Sequence, residues 1–149
     1  WELDPSVSCD YCFVKGVLKQ FRQGGASEAE DLKRLLFCLR KGPLVGDQTG
    51  DWLDAYKERF TGDVVDFLEY QLRVEHDKME AGFLLDVANT LLLFERLNEC
   101  ALVGKCQVLV KAGKNSLALE VYDSFCKLYS KSYGEAFMLS FPKLLKHKL

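Results

Sequence analysis

The chain has 149 residues, 48% hydrophobic and 28% charged, with only three prolines. That apolar content excludes disorder, and a chain this long buries about two-thirds of its unfolded surface, enough for one domain or one compact repeat array. Twenty basic against 22 acidic residues leave a net charge of −2, which argues against a domain that grips DNA or RNA through its phosphates.

In chain order, the pattern reads as helices only. Residues 6–23 place Phe13, Val14, Val17, Leu18 and Phe21 on one helix face, and Gly24-Gly25 stops the run. Ser27 and Glu30 form a capping box that opens a second helix carrying Leu32, Leu35, Leu36 and Leu39. Gly42-Pro43 ends it, and residues 42–50 form the longest loop. A third helix over 51–75 sets Leu53, Tyr56, Phe60, Val64, Phe67, Leu68 and Leu72 at spacings of three and four, with a bend expected at Gly62. Asp77 is the expected cap of a fourth helix over 78–96, with Phe83, Leu84, Val87, Ala88, Leu91 and Leu92 inward. Asn98 caps a fifth over 99–112, which carries Leu102, Cys106, Leu109 and Val110 and ends at Gly113. A sixth over 116–132, started by Asn115 or Ser116, turns Leu117, Ala118, Val121, Tyr122, Phe125 and Tyr129 to one side, and Gly134 closes it. Ser140 and Pro142 begin a last helix reaching about residue 148.

The expected fold is therefore all-α, with about seven helices. Junctions of two to five residues force neighbouring helices into antiparallel hairpins, and each apolar stripe is buried by stacking on the next pair. Cys106, Leu109, Gly113, Ala118 and Tyr122 follow the small, large, turn-glycine, alanine, aromatic order of a tetratricopeptide repeat. The whole chain, 1–149, reads as one right-handed tetratricopeptide-like array.

Chemical motifs are weak by comparison. Cys9 and Cys12 have zinc-ligand spacing, but a structural zinc needs four ligands and no second such pair exists. The six cysteines, Cys9, Cys12, Cys38, Cys100, Cys106 and Cys126, fall mostly among apolar residues, where Cys behaves as a small buried hydrophobe, and all six read as reduced thiols of a cytoplasmic protein. Glu75-His76-Asp77 sits at a helix junction, where capping explains it better than proton relay. No nucleophile motif or phosphate-cradling glycine loop is present. We expect no catalytic, cofactor or metal site, no small-molecule substrate and no membrane contact, because no apolar run approaches the roughly 18 residues that span a bilayer. The basic residues Lys15, Lys19 and Arg22, and Lys143, Lys146 and Lys148 near the C-terminus, read as solvated faces. Trp52 and Tyr56 at the start of the third helix are the candidate interface residues. A chain that opens on Trp1 rather than Met is expected to be a piece of a longer protein.

Several stretches, in order, carry a family resemblance. They are Cys12-Phe13-Val14-Lys15-Gly16-Val17-Leu18, then Leu36 to Leu44 with its Gly42-Pro43 turn, then Asp51-Trp52-Leu53-Asp54-Ala55-Tyr56. Leu97-Asn98-Glu99, Leu109 to Gly113, Ala118 to Tyr122 and Gly134-Glu135 complete the series. Over residues 7–145 the chain resembles the bacterial transcriptional activator domain, although Ala136 stands where that family tends to have proline. That is the tetratricopeptide-like domain that follows a winged helix in antibiotic-regulatory-protein type regulators. The resemblance implies a non-enzymatic signalling or oligomerisation domain that contacts a protein partner or a second copy of itself. DNA would then be read only by a winged helix outside this chain. A helical scaffold or adaptor unrelated to transcription is the alternative.

Overall fold

A computed structural model of the chain describes residues 9–24, 29–43, 50–74 and 79–147. Among them there are seven helices and no strand: α1 (Asp10–Arg22), α2 (Ala29–Leu39), α3 (Asp51–Val74), α4 (Ala81–Phe94), α5 (Glu99–Lys111), α6 (Asn115–Tyr133) and α7 (Phe141–Leu144). The chain is all-α. It divides into two compact units, Trp1–Phe67 and Leu68–Leu149, with the boundary inside α3.

In the first unit, α1 turns Val14, Val17 and Leu18 inward. Its chain direction is then broken at Gly24, whose φ of 76° lies in the left-handed region that a side chain disfavours. From α2 come Leu35, Leu36 and Leu39, and from α3 Phe60, Val64 and Phe67, all buried. Phe21 meets Phe67 edge-on with ring centres 5.0 Å apart, the arrangement that sets a positive ring edge against a negative face. Arg22 pairs with Asp63, and Lys41 with Asp10 at the α1 N-terminus. Both pairs lie in water, so they orient more than they stabilise.

The second unit is built around α5. Every residue from Cys100 to Gly104 is buried, as are Cys106, Val108 and Leu109. A helix can be apolar on nearly its whole circumference only when neighbours cover more than one side, and α5 packs against both α4 and α6. Loops of residues 95–98 and 112–114 make these contacts antiparallel hairpins. Asn98 opens α5 as expected, its side chain accepting from the Ala101 N–H at 2.9 Å. Gly113, with φ 75°, closes it. Close approach of α5 and α6 is set by two small residues. Ala118 is fully buried, and the Cys106 thiol lies 3.5 Å from the Ala118 carbonyl. Leu102, Val103, Cys106, Phe125 and Leu144 form one core cluster, and Tyr122, Tyr129, Phe137 and Phe141 pack on it.

Several expected boundaries move. The first helix begins at Asp10, with Cys9 extended in the N-cap position, and residues 6–8 of the expected helix lie outside the described residues. The Ser27 capping box and the Asp77 cap also fall outside them. The fourth helix starts at Ala81 with Glu80 in the cap position and ends at Phe94, where Glu95 takes an extended backbone. Gly62 does not interrupt α3, which runs on to Val74. The last helix is a single turn, not an element reaching 148: Leu144 and Leu145 dock on the core, and the chain leaves the helix once that apolar pair is placed. Leu117, expected inward, is 45% exposed. It precedes the position, Ala118, that faces α5. No helix among the described residues is long and apolar enough to cross a membrane.

Candidate interaction surfaces

The two aromatic residues singled out at the start of α3 part company. Tyr56 is half-buried and packs on Tyr11 of α1, ring centres 6.0 Å apart, beside the Tyr11–Phe60 contact at 5.8 Å. Trp52 is 78% exposed. It lies one turn earlier on the same helix. An indole this exposed is an apolar surface with a hydrogen-bond donor at its edge, the combination favoured in interface anchors.

At the same end of the first unit lie three thiols. Cys9 occupies the N-cap position of α1, and Cys12 follows one turn later. The Cys12 backbone N–H and the Cys12 thiol both donate toward the Cys9 sulfur, which holds the Cys9 pKa below the ordinary thiol value. The same hydrogen bond raises that of Cys12. Burial, and then the Asp10 carboxylate, raise Cys38. Among the described residues no group of three acidic, histidine or cysteine side chains is placed to hold a metal. All six cysteines are free thiols.

The reading that most of them sit among apolar residues as small buried hydrophobes holds in part: Cys100 and Cys106 are buried, Cys9, Cys38 and Cys126 are half-buried, and Cys12 is exposed. The cause is register, since Cys12 falls on the water-facing side of α1 between half-buried Cys9 and Phe13. Burial pushes the Cys106 thiol up to about 11. Alkylation by iodoacetamide near neutral pH, followed residue by residue by mass spectrometry, should therefore modify Cys9 ahead of Cys12 and leave Cys106 untouched until the chain unfolds, because only the thiolate reacts. Similar rates at Cys9 and Cys106 would contradict this geometry.

In the second unit a trough of about 400 Å³ lies over α5. Leu102 and Lys105 of α5 line it, with Leu92 of α4, Arg96 just beyond α4, and Leu117, Glu120, Val121, Ser124, Phe125 and Leu128 of α6. Lys105 is half-buried, and that burial lowers its pKa. Among the described residues neither Lys105 nor Arg96 has an ion-pair partner. Sequence reasoning passed over Lys105, although a signal was present. It stands three residues after Leu102 and four after Ala101, inside the apolar stripe of a helix that is otherwise almost entirely buried.

Aromatic residues gather at the other end of α6. Tyr129 lies 4.7 Å from Tyr133 and 5.2 Å from Phe137, ring centre to ring centre, and Phe125 lies 5.1 Å from Phe137. The Tyr122 hydroxyl donates to the Leu139 carbonyl at 2.8 Å. Burial, reinforced by the neighbouring Cys126 thiol, pushes the Tyr122 phenol up to about 12, so it stays a neutral donor. This cluster fastens residues 137–145 to α6. It is structural, and Met138 at its edge is 93% exposed. Comparison with protein-family models, with curated proteins and with solved structures gives no match for this chain.

Proposed function

We propose that this chain is a non-enzymatic protein-interaction module of a bacterial transcription regulator, whose DNA is read by a winged helix outside it. The observation that carries the interaction part is the open trough over α5, apolar along most of its lining and flanked by two cations that have no ion-pair partner among the described residues. Helical hairpins present such surfaces because stacking buries one side of each pair and leaves the other for company. The transcription part rests on the ordered motifs Gly42-Pro43, Trp52 and Ala118-x3-Tyr122, which resemble the bacterial transcriptional activator domain. The acidic balance supports leaving DNA to another domain. In this reading a partner, or a second copy docked through Trp52, positions the linked DNA reader or makes it bivalent.

Two measurements test the reading. The isolated chain should not retard a DNA duplex in a gel shift, and tight, salt-sensitive retardation would overturn the division of labour. The open reading frame should encode a winged helix beside this segment. A neighbouring domain of another class would favour a scaffold or adaptor unrelated to transcription.

A further inference from the structure

We infer that the trough over α5 receives an amphipathic α-helix of a partner protein, seated by its apolar stripe and oriented by an acidic side chain that pairs with Lys105. The inference deepens the interaction reading above and rests on it.

The trough runs along α5 between α4 and α6, with Lys105 half-buried at its floor and the buried Leu102 beneath it. Its walls are helices whose backbone groups are spent on their own ladders. They offer no free donors or acceptors to an extended chain, so an occupant must satisfy its own backbone hydrogen bonds, and a helix does that. Leu92, Leu117, Val121 and Leu128 supply apolar contact, and the exposure of Leu117 leaves its side chain available to an incoming stripe.

Charge decides the class of helix. Lys105 is the ionisable group on the trough floor, and burial disfavours its charged form. Among the described residues it meets no carboxylate, and Arg96 adds a second cation with no ion-pair partner there. Glu120 is the lone acidic group of the lining and belongs to α6. An acidic residue arriving with the partner would restore to Lys105 the stabilisation that burial removes, whereas a basic or wholly apolar helix would leave that cation stranded. The partner is therefore acidic on the flank of its apolar stripe.

The probe is a displayed library of helical peptides on one amphipathic scaffold, with the positions flanking the stripe randomised, selected in parallel on the full chain and on its Lys105→Glu variant. Wild type should enrich Asp or Glu at one fixed offset from the stripe, and Lys105→Glu should enrich Lys or Arg there. A peptide selected on wild type should bind Lys105→Glu about ten- to a hundredfold more weakly. Lys105→Met keeps the packing and should lose the charge preference alone. Circular dichroism checks that both variants fold, and amide shift changes should fall on Leu92, Leu102 and the Leu117–Leu128 face. Enrichment of the same charges by both proteins, shift changes elsewhere, or a trough filled by a second copy of the chain would overturn the inference. Any of these leaves the interaction module itself to be decided by the gel shift and the neighbouring domain.

Discussion

Replacing Leu102 by alanine should lower the stability of the second unit by about 2–5 kcal/mol, while Leu117→Ala should change it by no more than about 0.5 kcal/mol. Both leucines sit on predicted inward faces of the α5–α6 hairpin, so the sequence pattern alone gives them equal weight. Leu102 is 1% exposed and packs in the cluster with Val103, Cys106, Phe125 and Leu144. Its truncation removes apolar contact and leaves a cavity that α5, pinned by α4 and α6, cannot close. Leu117 already lies largely in water, at the trough wall. Urea titration of each variant gives the comparison directly, provided the slope with denaturant is unchanged. In a unit of this size each kcal/mol lowers the melting temperature by about 4–8 °C. Equal losses at the two positions would mean that Leu117 is core and that the trough is closed.

Loss of the Asn98 side chain should be nearly as damaging, because one residue does three things. Its carbonyl oxygen caps α5 through the Ala101 N–H, and its amide nitrogen donates at 2.6 Å to both Glu69 and Glu95. Asn98 is itself buried. Asn98→Ala removes a cap that contributes about 0.5–2 kcal/mol and leaves the Glu69 carboxylate, which also pairs with Arg73 at 3.0 Å, without its second donor. A total of about 2–4 kcal/mol is expected.

Asn98→Asp separates the roles. It keeps the capping oxygen and gains about 0.3–1 kcal/mol from the helix dipole, but sets a third carboxylate against Glu69 and Glu95. That repulsion should exceed the dipole gain and make the variant less stable than wild type at neutral pH. The sign with pH follows from it. Like charges raise the pKa of the introduced carboxyl above its unfolded value, so the folded state holds its proton more tightly. The deficit is therefore full at neutral pH and shrinks as pH falls through the folded-state pKa. Urea midpoints for both proteins, at neutral pH and near about pH 4, test this. A deficit that stays constant on acidification would rule out the three-way arrangement.

How much of this was legible varies by element. Asn98 could be placed as a cap because Ser, Thr, Asp and Asn satisfy orphan N–H groups through short local bonds that need no knowledge of the fold. Gly113 and Gly134 could be placed as stops because left-handed backbone penalises every other residue type. The second duty of Asn98, toward Glu69, could not be read, since it spans 29 residues and depends on where α3 ends beside α5. The split between Trp52 and Tyr56 was equally hidden. Both fit a helical stripe, and only the position of Tyr11 on α1 decides which is covered. The aromatic cluster at Phe137 and Phe141 lies on either side of α7's start, where no helical period connects its members.

The sequence by itself determined that this protein is helical, roughly where each helix runs, which residue caps α5, and which glycines end α5 and α6. These are decisions of local backbone chemistry and of a 3.6-residue period, settled within a turn or two of chain. The tertiary structure alone decided that α5 is enclosed by two neighbours, that Leu117 faces out, and that Lys105 lies half-buried with no carboxylate partner among the described residues. Periodicity says which side of a helix is apolar but not how many neighbours cover it. A cation's missing partner is a property of space around it, which the order of residues does not contain.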